Sequence, residues 1–133
     1  MKFYIFLTFI LLLTACKQDK KPANNTPAGE TQIEFRHSSF DFGDMAEGEI
    51  ITHTFYFKNT GKNNLIIKNI DPGCGCTTVD YEKAPLKPGK EGKLEIAFNS
   101  SGRYGKQYKE IRIFANVPEK EVTLKFIANV KNN

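Results

Sequence analysis

From residue 31 onward, apolar residues recur at every second position along most of this chain. Ile51, His53, Phe55 and Phe57 share one side of a segment while Thr52, Thr54, Tyr56 and Lys58 take the other. The same alternation sets Leu94, Ile96 and Phe98 against Lys93, Glu95 and Ala97, and sets Val122, Leu124, Phe126, Ala128 and Val130 against Glu121, Thr123 and Lys125. A period of two is what a strand buried on one face requires, because successive side chains leave opposite faces of a sheet. These segments are predicted as half-buried antiparallel strands. Residues 32–36, 39–42, 65–70 and 106–115, rich in β-branched or aromatic side chains, are predicted as further strands. No stretch carries a capped helical period.

Turn chemistry separates these segments. Asp41-Phe42-Gly43-Asp44, Asn59-Thr60-Gly61-Lys62, Asp71-Pro72-Gly73, Lys87-Pro88-Gly89-Lys90 and Ser101-Gly102 supply residues that tolerate positive φ or pre-set a turn. Phe42 should turn into the core, and the Asn59 side chain should close a corner by local hydrogen bonding. About seven short strands with regular turn signals predict an all-β fold, an immunoglobulin-like antiparallel β-sandwich. It is not of the antibody type: there is no Trp, and Cys74 and Cys76 are too close in sequence to bridge two sheets.

The amino-terminal end follows a different pattern. Lys2 precedes an apolar run over residues 3–13, and the run Leu13-Thr14-Ala15-Cys16 closes it. With a short positive start, an apolar segment too short to span a bilayer with ease and small residues before a cysteine, residues 1–15 resemble a bacterial lipoprotein signal peptide. Cys16 would then be the acylated first residue. At about 0.8 kcal/mol per buried methylene, more than one acyl chain gives a stable membrane anchor. Lys17, by resemblance to Gram-negative lipoproteins, favours the outer membrane, and either leaflet fits. Residues 16–30, with Asn24, Asn25, Pro22, Pro27 and Gly29 and no apolar period, read as a flexible tether, which leaves residues 31–133 as one domain.

Charge narrows the function classes. The formal charge is +4, and removing residues 1–15 takes away only Lys2, so nucleic acid is not an expected partner. Lys87, Lys90, Lys93, Lys106 and Lys109 read as solvated faces and edge protection. Asp41, Asp44, Glu47 and Glu49 lie close in sequence but without an aromatic sugar-binding groove, so they read as turn and surface residues. No glycine cluster precedes a helix, which leaves out a phosphate cradle.

The ordered series Phe40-Asp41-Phe42-Gly43, Gly48-Glu49, Thr54-Phe55-Tyr56-Phe57-Lys58-Asn59-Thr60-Gly61, Leu65-Ile66-Ile67, Cys74-Gly75-Cys76-Thr77-Thr78, Leu86-Lys87-Pro88-Gly89 and Gly105-Lys106 resembles a bacterial family of unknown function. Its members are secreted or lipid-anchored immunoglobulin-like domains, related in architecture to the Hydin and major sperm protein domains. The resemblance covers residues 40–130 and loosens where Val117 follows Asn116 in place of an acidic residue. It implies the fold and an envelope location, and no activity.

Cys74-Gly75-Cys76 is the one motif with chemistry of its own. It follows Asp71-Pro72-Gly73 and so lies on a loop at one end of the sandwich, where function concentrates. Three readings stand: a short disulfide or thiol pair that stiffens the loop, a labile redox disulfide with Gly75 permitting the bend, or a soft-metal site. Two thiolates suit Cu(I), or zinc if imidazoles join them, and His37 and His53 are the only histidines. His53, on the inward parity of its strand, reads more readily as a hydrogen-bonded histidine near the strand's end than as a ligand, and His37 as exposed. No resident cofactor is expected. Cys–His hydrolase chemistry has no supporting signature.

The sequence as a whole reads as a lipid-anchored, non-enzymatic immunoglobulin-like module that binds or scaffolds an envelope protein or glycan. The alternative is a redox-active or copper-handling domain acting through Cys74 and Cys76. The anchor is directly testable. Intact mass spectrometry of membrane-extracted protein should show acyl additions on an amino-terminal Cys16, and Cys16→Ser should release or mislocalise the protein. A water-soluble mature form starting at another residue would refute the anchor.

Overall fold

The computed structural model describes residues 29–132. The expected signal peptide (residues 1–15), Cys16 and most of the expected tether lie outside the described residues. Eight strands form two four-stranded sheets. They are β1 (Ile33–Phe35), β2 (Ser39–Ala46), β3 (Ile50–Asn59), β4 (Ile67–Asp71), β5 (Thr77–Tyr81), β6 (Glu91–Asn99), β7 (Gly105–Ala115) and β8 (Glu121–Lys131). One sheet has the order β1-β3-β6-β5 and the other β2-β8-β7-β4. The all-β sandwich expected from the period-two pattern is therefore what the chain forms.

Details depart from the expectation in three places. Strand β5 adds to the roughly seven anticipated. Its residues Thr77-Thr78-Val79-Asp80-Tyr81 sit at a sheet edge with little apolar content, so their sequence signal is weak. Asp41-Phe42-Gly43-Asp44, which reads as a turn, is a bulge inside β2: the register shifts between Asp41 and Asp44, and Gly43 has φ 72°. The Gly43 N–H donates to Asp41 Oδ1 at 2.8 Å, so the turn-forming contact is made without ending the strand. Finally, β2 pairs with β8 in parallel, whereas antiparallel pairing was expected throughout. The chain leaves β1 at Arg36, crosses to the other sheet and keeps its direction, which brings it alongside the last strand in the same sense.

The inward positions of both sheets build the core. Phe55, Leu94, Ile96 and Phe98 of one sheet and Ile111, Ile113, Leu124, Phe126 and Ala128 of the other are each at most 1% exposed. Phe98 and Phe126 meet across the sheets with ring centroids 5.3 Å apart, and Phe42 sets its edge on Phe126 at 5.5 Å. Such edge-on contacts suit the ring quadrupoles and add to the burial of large apolar surface.

Two asparagines organise one end of the sandwich. Asn59 is fully buried. Its Oδ1 accepts from Thr31 Oγ1 at 2.8 Å and from Gly61 N–H at 3.1 Å, and its Nδ2 donates to the carbonyls of Asn63 and Leu86, both at 2.8 Å. Asn116 accepts from Ile66 N–H at 2.7 Å and donates to the carbonyls of Gly29 at 2.8 Å and Asn64 at 2.9 Å. The corner expected at Asn59-Thr60-Gly61 is thus formed, and its side chain reaches further than local bonding suggests. Gly61 is required there by close approach, since a Cβ would fall 2.5 Å from the Gln32 amide nitrogen. At the far end, Ser100 Oγ donates within reach of two carbonyls, those of Ala46 at 2.8 Å and Glu49 at 3.0 Å, and ties the β2–β3 and β6–β7 connections together.

These networks set clear stability expectations. In denaturant titrations Asn59→Ala should cost about 3 kcal/mol, because it strands a hydroxyl, an amide and two carbonyls. Phe57→Ala should cost about 3–5 kcal/mol, and exposed Thr60→Ala no more than about 0.5 kcal/mol. An Asn59→Ala cost no larger than that of Thr60→Ala would mean the carboxamide does not hold this end.

Candidate functional site

Residues 72–76 carry the chain from β4, the edge of one sheet, to β5, the edge of the other. Both flanks of this connection are fastened. Asp71 Oδ1 accepts from Gly73 N–H at 2.8 Å, and the other carboxylate oxygen pairs with Arg112. The Gly73 bond first and the Arg112 bond second hold the Asp71 carboxyl below its ordinary pKa. Gly73 itself has φ 74°, and a Cβ there would lie 2.7 Å from the Glu110 carbonyl oxygen. The loop therefore lies against β7 at a point where only glycine fits. On the other side, the Cys76 carbonyl accepts from Asn99 N–H at 2.9 Å and the Cys74 carbonyl from Thr77 N–H at 3.3 Å.

Within this frame Cys74 and Cys76 form a disulfide, with their Cα atoms 5.2 Å apart. The two sulfurs are not equivalent. Cys76 is 8% exposed and joins the hydrophobic core, whereas Cys74 is half-buried at its margin. The buried Thr77 hydroxyl lies 3.5 Å from Cys74 Sγ and 3.9 Å from Cys76 Sγ. Gly75 is exposed, its φ is outside the left-handed region, and its Cβ position has nothing within 4 Å. The bend that the sequence suggests at Gly75 is present, since Gly75 and Cys76 are the central residues of the turn closed by Thr77 N–H on the Cys74 carbonyl, but the position that demands glycine is Gly73, which is pressed against a neighbouring strand.

The histidines do not complete this site. Among the described residues no three His, Cys, Asp or Glu side chains come together as a metal-holding group, so neither His37 nor His53 joins the cysteine pair. With the sulfurs bonded to each other, Cu(I) or zinc would find thiolates here only after reduction. His53 is stacked on Phe40 at 3.6 Å and meets Phe55 edge-on at 4.7 Å, an aromatic setting rather than the hydrogen-bonded one expected. Strand β2 crosses over at that point and presents Phe40 and Phe42 to it. Burial, and then the charge of His37, push the His53 pKa down. His37 is exposed, as its position past a strand suggests.

Other side chains stand out only in three dimensions. Lys109, expected on a solvated face, takes the inward parity of β7 and is half-buried; burial, then Arg103, lower its pKa. At the far end of the sandwich Ile50 is 62% and Tyr104 57% exposed. Glu47 holds the Tyr104 loop, accepting from the Tyr104 hydroxyl at 2.9 Å and from Gly102 N–H at 3.1 Å. Thr77 carries no sequence signal beyond its place next to Cys76, and its contact with both sulfurs depends on how the loop meets β5.

Residues 33–130 match the family described as protein of unknown function (DUF1573). The chain belongs to this family. That assignment agrees with the resemblance carried by the motifs from Phe40 to Gly105, and the family has no assigned activity. No curated protein matches the chain in sequence. Among solved structures, a protein of unknown function from Porphyromonas gingivalis is similar at a TM-score of 0.67 and 22% identity, over 83% of this chain and 51% of that one. The ASH/PapD-like domain 7 of human CEP192 is similar at 0.60 and 13% identity, over 90% of this chain and 97% of that domain. The VesB protease of Vibrio cholerae is similar at 0.62 and 15% identity, over 74% of this chain. This chain spans about half of the Porphyromonas protein and about a third of VesB. At these identities the likeness is one of fold, and the protease activity is VesB's own.

The half-buried His53 generates a pH expectation. A pKa lowered below the ordinary histidine value of about 6.5 means that the folded state binds fewer protons than the unfolded one. The stability it supports is fully present above that value and is lost as pH falls through the lower folded pKa. Denaturant midpoints should therefore decline on acidification from neutral pH, and His53→Phe should flatten that decline. A His53→Phe profile parallel to wild type would place the acid sensitivity elsewhere.

Proposed function

We propose that this chain is a lipid-anchored immunoglobulin-like module of the bacterial cell envelope, held in the outer membrane through acylated Cys16, that binds or scaffolds an envelope protein or glycan. The observation that carries this reading is the polarity of the sandwich. The described chain begins at Gly29, fastened to Asn116 at one end, while Ile50 and Tyr104 stand exposed at the other. A tether over residues 16–30 would leave from the first end, so the second is presented away from the membrane. Loops on a rigid sandwich are where binding surfaces concentrate. Exposed aromatic and large aliphatic side chains there are suitable anchors, and Tyr104 is already oriented by Glu47, which lowers the ordering entropy of a contact.

In-cell photo-crosslinking tests the assignment. A photoreactive residue at position 50 or 104 should give discrete adducts, and one at exposed Lys62, near the tether end, should not. Ile50→Asp combined with Tyr104→Asp should lower the yield from a neighbouring probe about tenfold without shifting the unfolding midpoint. Adducts from Lys62 alone, or from neither end, would defeat the reading.

A further inference from the structure

We propose that the Cys74–Cys76 disulfide is a thiol–disulfide exchange site for peptide dithiols, in which the incoming thiolate attacks Cys74 Sγ and Cys76 departs toward the Thr77 hydroxyl. The proposal goes beyond envelope binding and does not depend on it. A bridge with a single residue between its cysteines constrains little of the unfolded chain, so stapling explains it poorly. The loop is in any case fastened without it, by Asp71 to Gly73 and Arg112 and by the backbone bonds of Cys74 and Cys76.

Exposure decides which sulfur is attacked. A thiolate must approach along the line of the bond it breaks, from the far side of the sulfur it attacks. Cys76 is 8% exposed and packs into the core, so that approach is closed, whereas Cys74 is half-buried at the rim. Nothing lies within 4 Å of the Cβ position of Gly75, which leaves room for a substrate beside the bridge. Strand β5 begins one residue past Cys76 and is a sheet edge, so an extended peptide has backbone partners next to the sulfurs.

The electron count closes with the peptide as reductant. Its first thiolate forms a bond to Cys74 Sγ, the Cys74–Cys76 bond breaks, and Cys76 leaves with the electron pair as a thiolate. A thiolate formed in the core needs a donor, and the Thr77 hydroxyl, 3.9 Å from Cys76 Sγ, is placed to give one before solvent supplies a proton. The second peptide thiolate then attacks the sulfur of its partner in the mixed disulfide and releases Cys74. The peptide has lost two electrons and two protons to become a disulfide, and the protein has become a dithiol.

The test uses the full chain carrying Cys16→Ser, which removes the one other cysteine. With excess reduced glutathione, rapid alkylation and fragment mass spectrometry, the glutathione adduct should lie on Cys74 at least about tenfold more often than on Cys76. Thr77→Val should slow opening about tenfold, the scale of a lost hydrogen bond to a charged group, and move the alkylation of Cys76 in the reduced protein to higher pH. Thr77→Ser should restore both, which a purely packing role for Thr77 would not explain. A dithiol peptide should be oxidised one for one with reduction of the bridge. A bridge that stays closed in excess glutathione, an adduct shared equally between the sulfurs, or a Thr77→Val protein that behaves as wild type would overturn the proposal. These readouts involve neither membrane nor partner, so their failure leaves the binding reading standing.

Discussion

A carboxamide removed from water must find four hydrogen-bond partners or destabilise the fold that buries it, and much of this structure is arranged around meeting that demand at Asn59. Its partners come from Thr31, Gly61, Asn63 and Leu86, which belong to the incoming chain, the corner after β3 and the segment before β6. Asn116 repeats the device nearby, joining Gly29, Asn64 and Ile66 to the β7–β8 connection. Together they decide at which end of the sandwich the described chain begins.

The second organising element is the crossing of the first strand between sheets. Strand β1 pairs for only three residues with β3, and β2 then continues in the same direction beside β8. The seam this leaves is filled by aromatic rings, with Phe40 on His53 and Phe42 against Phe126. Burial in that seam disfavours the charged form of the histidine, which couples the stability of the sandwich to proton activity.

The cysteine loop shows how a generic scaffold can hold one unusual group. Gly73 lets the chain lie against β7, Cys76 is drawn into the core by its bond to Asn99, and Cys74 is left at the rim. The resulting asymmetry between two chemically identical sulfurs is a product of the two-sheet architecture, since this connection runs from the edge of one sheet to the edge of the other with Cys76 on the core and Cys74 at its margin.

Alternating residues such as Phe55, Phe57, Leu94, Ile96, Leu124 and Phe126 made the all-β sandwich legible without coordinates, because strand period and one-sided burial are local properties of the chain. So was the corner at Asn59-Thr60-Gly61, whose bonding begins within two residues. The parallel β2–β8 pair, the edge strand β5, the bulge at Gly43 and the inward Lys109 were not legible. Each depends on which distant segment lies alongside, and that is set by the packing of one sheet on the other. The motif Cys74-Gly75-Cys76 marked the candidate site by residue type and spacing alone. Which sulfur is exposed, that Thr77 reaches both, and that the histidines stay apart are matters of tertiary structure, since burial and contact between residues on different strands exist only once both sheets have closed over a common core.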